Sequence, residues 1–177
     1  MEYKKKRNVK NKNIKMIIFD YNKDKKKDFL MEYNSSEFLI ETEVPSSEVI
    51  ISRTDLNGNI TFVNEIFTTI SGYTEEEMIG KPHNILRHPD MPKVVFEEMW
   101  ETLRKTQRWE GIVKNKRKDD GFYWVNAMIL GVFKDGELVE YKSVRLPIND
   151  KQKAESQKRF DKLRKETNDT TRTIIYK

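Results

Sequence analysis

The sequence predicts an α+β domain: a five-stranded antiparallel sheet with short helices and one longer helix on one face, flanked by N- and C-terminal helical segments. Three observations carry this reading. Two β-branched, apolar runs joined by an Asn-Gly turn precede residue 65; three longer strand-like runs follow residue 107; and between them lies a stretch whose apolar residues recur at helical spacing. With 177 residues the chain holds one ordinary domain of ~100–150 residues plus extensions. The expected boundaries are a basic extension over 1–48, a domain over 49–148, and a polar helix and tail over 149–177.

Residues 1–28 carry eleven Lys or Arg against four acids, a net +7 in a chain of net +5, so the remainder nets −2. That composition reads as a solvated tail or a loosely docked helix. At residues 49–53 the pattern turns β-branched, "DLNGN" supplies the hairpin turn, and "ITFVN" from Ile60 resumes an extended run. Asn64 is placed to cap "EIFTTIS", and Thr74 with Glu77 forms a capping box for "EEEMI", with Gly72 and Gly80 at the breaks. Further on, Asp90 reads as the cap and Pro92 as the first turn of "MPKVVFEEMWETLRKT", whose Phe96, Met99, Trp100 and Leu103 make one apolar face. Trp100 on that face reads as core. The runs at 108–118, 121–133 and 137–148 are strands separated by "DDG" and "DG" turns, with Tyr123 and Trp124 on opposite faces. From Asn149 a polar helix follows with only Ala154, Phe160 and Leu163 as apolar points, so it needs a partner surface.

Composition excludes several chemistries. Zero cysteines remove disulfides, thiolate catalysis, Cys-bearing zinc sites, iron–sulfur clusters and cysteinyl–flavin adducts. No apolar run approaches the ~20 residues of a membrane span and no signal peptide is legible, so the expected location is cytoplasmic, without direct membrane insertion. No nucleophile–base pair, paired-carboxylate motif or phosphate-binding glycine loop is visible, which argues against an enzyme. No helix-turn-helix or aromatic–basic repeat supports nucleic-acid binding.

The segment "GKPHNILRHPDMP", residues 80–92, concentrates both histidines and three of the five prolines. His83 and His88, five residues apart, fit neither a helical i, i+4 pair nor the usual zinc spacing. No metal site is expected from this spacing.

The words "TDLNGNITFVN", "SGYTEEEMIGKPHNILRHPDMP", "MWETLRK", "WEGIVKNKRKDDGFYWV" and "DGELVEYKSVR" together resemble the PAS family over residues 49–148, and within it the FAD-binding aerotaxis-receptor subgroup. The pair "KPHNILRHPDMP" and W-x-G-x-V-K-N-x-R-K is its most specific part. The resemblance implies a redox or oxygen sensor of bacterial energy taxis that binds FAD. Lacking a membrane anchor and a long signalling region, the chain is similar to the stand-alone PAS partners of two-protein energy-taxis systems. Such a partner signals by contact with a separate, membrane-bound chemotaxis transducer, and a homo-oligomer through the flanking helices is the family expectation. A haem-binding or cofactor-free PAS adaptor is the alternative.

The resemblance also implies site residues. An isoalloxazine needs apolar walls and a few fixed amides. Trp109 is suited to stack on or beside the ring. Asn115, on the same face of the same strand by period two, offers it both a donor and an acceptor. Arg87, His88 and Asp90 match the subgroup's Arg-His-x-Asp cluster associated with cofactor binding, near the phosphates or the adenosine end. Lys114, Lys116 and Arg117 read as an exposed face, Arg117 being also in reach of the phosphates. Where the subgroup is more polar after "FYWV", this chain has "NAMILG", so Asn126, Met128 and Gly131 are expected to line the pocket differently.

Overall fold

A computed structural model describes residues 40–169, together with the backbone of three short strands outside that range. Those are β1 (Met16–Ile18), β2 (Phe29–Met31) and a last strand at Ile174–Ile175, paired in a sheet of their own. The expectation of a basic tail or docked helix over 1–48 lies largely outside the described residues.

The domain begins with the hairpin β3 (Ile50–Thr54) and β4 (Ile60–Val63), followed by α1 (Glu65–Ser71) and α2 (Glu75–Met78). A 3-10 turn at His83–Leu86 leads to the long helix α3 (Lys93–Thr106). Strands β5 (Arg108–Lys116), β6 (Phe122–Lys134) and β7 (Glu137–Leu146) and the exit helix α4 (Asp150–Glu166) complete it. The sheet is five-stranded and antiparallel, as the sequence predicts, and runs in the order β4-β3-β7-β6-β5, so the β3–β4 hairpin meets the β5–β6–β7 meander where β3 lies beside β7.

Period-two alternation gives the sheet two different faces. One face, carrying Ile50, Ser52, Tyr123, Val125, Tyr141 and Ser143, is buried toward α1 and α3. On the opposite face Trp124 stacks on Phe160 of α4, ring centroids 6.0 Å apart and 11° from parallel. The sparse apolar points of α4 thus find their partner surface: Phe160 is fully buried and Leu163 packs beside it. Tyr123 and Trp124 point to opposite faces as expected, and both are buried because α4 covers the second. Lys114 is buried for the same reason, which overturns its reading as solvent face.

Two expected helix caps are occupied elsewhere. Asn64 holds the cap position of α1 through its backbone carbonyl, which accepts from the Phe67 N–H at 2.9 Å, but its side chain does not bond to the helix; the amide oxygen accepts from the Ile51 N–H at 2.9 Å and the amide nitrogen donates to the Val49 carbonyl at 2.8 Å. Asp90 does not cap α3, because its carboxylate is taken by Lys114 at 2.7 Å. Asp169, just past α4, accepts from the Lys93 N–H at 2.7 Å instead, which ties the exit helix to the start of α3. The Thr74–Glu77 capping box of α2 is present, as is one from Asn149 to Gln152 at the start of α4.

Because Asn64 clamps β3 through two hydrogen bonds worth ~1 kcal/mol each, Asn64→Ala is expected to lower stability by about 2 kcal/mol. Urea denaturation with an unchanged slope checks this, and an unshifted midpoint would refute the clamp.

Candidate functional site

Between the inner sheet face and α3 lies a cavity of about 470 Å³, within the ~300–1,000 Å³ range of small-molecule sites. Its apolar walls come from Phe96, Met99, Trp100 and Leu103 of α3 and from Trp109, Val113, Ala127 and Ile129 of β5 and β6. The same spacing that makes α3 amphipathic therefore aims those four side chains at the cavity. Trp100, read from the sequence as core, is half-buried in this wall and meets Tyr141 edge to face at 6.0 Å. Asn126, Met128 and Gly131 do not line the cavity: on β6 the inward register falls on Ala127 and Ile129 rather than Asn126 and Met128, and Gly131, though in that register, is packed against Leu138 and Gln107.

Trp109 has a specific local reason for its position. A Cβ at Gly111 would come within 2.5 Å of the Trp109 ring, so the indole lies folded along its own strand over the glycine. The W-x-G spacing is thus a packing unit in which the missing side chain makes room for the ring.

Polar groups are few and placed together. Asn115 is 6% exposed; its amide nitrogen, beside the buried Tyr123 hydroxyl but not within normal bonding geometry of it, and the hydroxyl of Ser143 on β7 find no hydrogen-bond partner among the described residues. Both line the cavity. A buried donor left unpaired costs ~1–3 kcal/mol, so two in one cavity point to a polar ligand there.

Arg145, which the sequence reading missed, also lines the cavity and is 3% exposed. Its guanidinium donates to the Ser52 hydroxyl at 3.0 Å and meets the Nε2 atom of His83 at 2.7 Å. It lies 5.1 Å from the centre of the Phe67 ring and has no carboxylate partner among the described residues. Burial lowers its pKa to about 10, which leaves it charged at neutral pH. Burial, followed by the adjacent Arg145, holds His83 down to about 3, so its imidazole is a neutral acceptor. The available signal was alternation: Tyr141, Ser143 and Arg145 follow one another at period two on the buried face of β7.

The structure divides the remaining sequence-predicted residues. Arg87 lines the cavity with its guanidinium 4.3 Å above the Phe96 ring, and burial lowers its pKa. Its backbone forms an antiparallel bridge to Asn115 on the free edge of β5. The neighbouring His88 therefore faces the other way, as does Asp90. His88, 1% exposed, packs edge to face on Phe122 at 5.7 Å, and its Nδ1 accepts from the Asp90 N–H at 3.1 Å. Burial, then Lys114, holds its pKa to about 3. Arg117 lies outside the cavity lining and donates to the Ile70 carbonyl at the end of α1, with Asp119 at 2.9 Å. Arg87, Trp109 and Asn115 are thus brought together in the cavity, while His88, Asp90 and Arg117 make contacts elsewhere. Among the described residues no group of three or more His, Cys, Asp or Glu is arranged to hold a metal, and no helix is long and apolar enough to cross a membrane.

Two outcomes are expected from these environments. Folded, both histidines stay neutral down to about pH 3, whereas the unfolded chain protonates them near pH ~6.5. The unfolded state then binds more protons, so stability falls as the pH drops below ~6.5, by about 1.4 kcal/mol per pH unit for each histidine. Urea denaturation at pH 7.5 and 5.5 should differ by about 2–3 kcal/mol, and equal stabilities would contradict the neutral imidazoles of half-buried His83 and buried His88. Gly111→Ala should displace the Trp109 indole and cost about 1–3 kcal/mol. Near-ultraviolet circular dichroism and thermal unfolding read this, and an unchanged spectrum would refute the packing unit.

Comparison with known proteins bears on the same segment. The sequence model of the PAS fold matches residues 60–145. The aerotaxis receptor of Escherichia coli (strain K12) is 43% identical over 111 residues, which make up 63% of this chain and 22% of the receptor. The nitrogen fixation regulatory protein of Klebsiella pneumoniae is 33% identical over 109 residues, 61% of this chain and 22% of that protein. The chain thus spans about a fifth of the length of either relative. Among solved structures, the PAS domain of a protein from Colwellia psychrerythraea superposes with a TM-score of 0.52 at 26% identity, covering 56% of this chain and 86% of that one. The sheet order, the helical flank over the cavity and these matches agree: the domain of this chain has the PAS fold.

Proposed function

We propose that the chain is a redox or oxygen sensory module of the energy-taxis kind. It binds FAD in the cavity under α3 and passes on the flavin's oxidation state by protein–protein contact with a membrane-bound chemotaxis transducer on a separate chain. The observation that carries the reading is the pair of buried, unpartnered polar groups, Asn115 and Ser143, in a cavity otherwise walled by aromatic and aliphatic side chains. This donor set suits a flat aromatic ring with one polar edge. The likeness to the aerotaxis receptor supports the same cofactor and the same class of signal.

When bound, the flavin supplies a redox centre in which a ring nitrogen changes from hydrogen-bond acceptor to donor on reduction. The chain's own residues respond to that change. The Asn115 amide offers its nitrogen to an acceptor and, turned over, its oxygen to a donor. Trp109 and Trp100, which line the cavity, would wall a bound ring and exclude water from it. Arg145 sets a positive charge against negative charge in the site, and neutral His83 accepts its N–H and keeps it aimed. Arg87 and Lys93 both line the cavity, and their cations suit phosphate. The exit helix α4 and the segment before β3 are the contact elements toward the transducer or a second copy. No catalytic step is assigned.

The visible spectrum of the purified protein tests the proposal. FAD released on boiling is the expected result, and a haem Soret band or a protein that cannot be loaded with FAD would overturn it. Trp109→Ala and Asn115→Ala should each weaken FAD binding about tenfold while leaving the fold intact by far-ultraviolet circular dichroism. Full retention in both variants would overturn the placement of the ring.

A further inference from the structure

We propose that His88, Asp90 and Lys114 are positioning residues that tie the exit helix α4 to the cavity across the edge strand β5. They act on a cavity ligand only through their chain neighbours Arg87 and Asn115. The coupling to ligand rests on the cavity reading given above; the tie to α4 stands without it.

The tie follows from the free edge of β5. At the Arg87–Asn115 bridge, two neighbouring backbones run antiparallel. Period-two alternation then sends Arg87 and Asn115 to the cavity and His88 and Lys114 to the far face. On that far face Asp90 Oδ2 takes Lys114 Nζ at 2.7 Å, and the two side chains are 8% and 5% exposed. Lys114 Nζ also lies 4.3 Å above the Phe122 ring and 5.6 Å from that of Trp124, the ring on which Phe160 of α4 stacks. The backbone carbonyl of Asp90 accepts from Arg164, a buried residue of α4 whose guanidinium also holds Asp161. The Asp90 N–H is taken by His88. Asp90 therefore commits its amide, its carbonyl and its carboxylate to three partners, one of them on α4.

Each member of this cluster is covalently adjacent, or nearly so, to a cavity residue. A ligand that shifts Asn115 or Arg87 moves the backbone that carries Lys114 and His88. Removing one charge of a buried pair strands the other, so the cluster is held or released as a unit. By linkage, if a ligand tightens the hold on α4, loosening that hold weakens the ligand by the same factor.

The test uses the full chain, with FAD as the probe and amide hydrogen exchange over Asp150–Glu166 as the readout. Lys114→Met keeps the apolar stem over Phe122 but removes the charge. Arg164→Gln cuts the same tie from the α4 side and serves if the first variant folds poorly, and Lys162→Gln on the exposed side of α4 is the control. Without FAD, exchange in α4 should rise at least tenfold in either tie variant and stay within twofold of the parent in the control. With FAD, exchange in the parent's α4 should slow at least fivefold, and that protection should fall below twofold in the tie variants, with FAD binding weakened to match. Unchanged α4 exchange in both tie variants, or equal protection by FAD in them and in the parent, would overturn the proposal. If FAD fails to bind the parent, the cavity reading fails, and the ligand-free exchange alone decides the tie.

Discussion

The backbone bridge between Arg87 and Asn115 is the contact on which the two halves of the molecule depend. β5 is an edge strand, and an open edge leaves backbone donors and acceptors without partners. Here the chain between the 3-10 turn and α3 lies along part of that edge, and the Lys114 N–H meets the Met91 thioether at 3.3 Å. Closing the edge this way fixes which residues of "RHPD" face inward. It also places the start of α3, so the same short contact bears on the roof of the cavity and on the edge of its floor.

The cavity itself is a case of polar groups kept where apolar burial should exclude them. Arg145 retains its charge under the sheet because Ser52, neutral His83 and the face of Phe67 share its solvation. The Asn115 amide nitrogen and the Ser143 hydroxyl find no hydrogen-bond partner among the described residues. Unsatisfied groups in a packed core weaken a fold unless something binds them. On the other side of the sheet the rule is obeyed: the Asp90–Lys114 pair, the His88 ring nitrogen and the Asp90 carbonyl all have partners. The contrast between an under-satisfied inner face and a saturated outer face is the physical basis for treating the first as a binding site and the second as structure.

Much of this was legible beforehand. The order of strands and helices follows from periods of two and 3.6, the Asn-Gly turn and the Thr74–Glu77 box. Trp109 and Asn115 are placed on one face by the same alternation, Arg87 is singled out by the family resemblance alone, and all three line the cavity. Arg145 was not found, because one charged residue in a run such as "YKSVRLPI" reads as solvent-facing until the partners of its strand are known. Lys114 was misread for the same reason: its face of β5 looks exposed until α4 is laid over it. Local caps misled where a distant residue competed. Asp90 has the right type and position to cap α3, but a buried ammonium at 2.7 Å binds a carboxylate more strongly than a backbone amide does.

The sequence alone thus determined the periodic elements, their order along the chain and the hairpin and three-strand run that make up the sheet, since these depend on neighbours within a few residues. Only the tertiary structure decided the sides. It put Arg87 in the cavity and His88 with Asp90 beneath α4, although the three stand within four positions of one another. The reason is that a strand's alternation is fixed by its own backbone, but which face becomes a cavity and which is covered by a helix depends on elements up to ~80 residues away, beyond the reach of any local pattern.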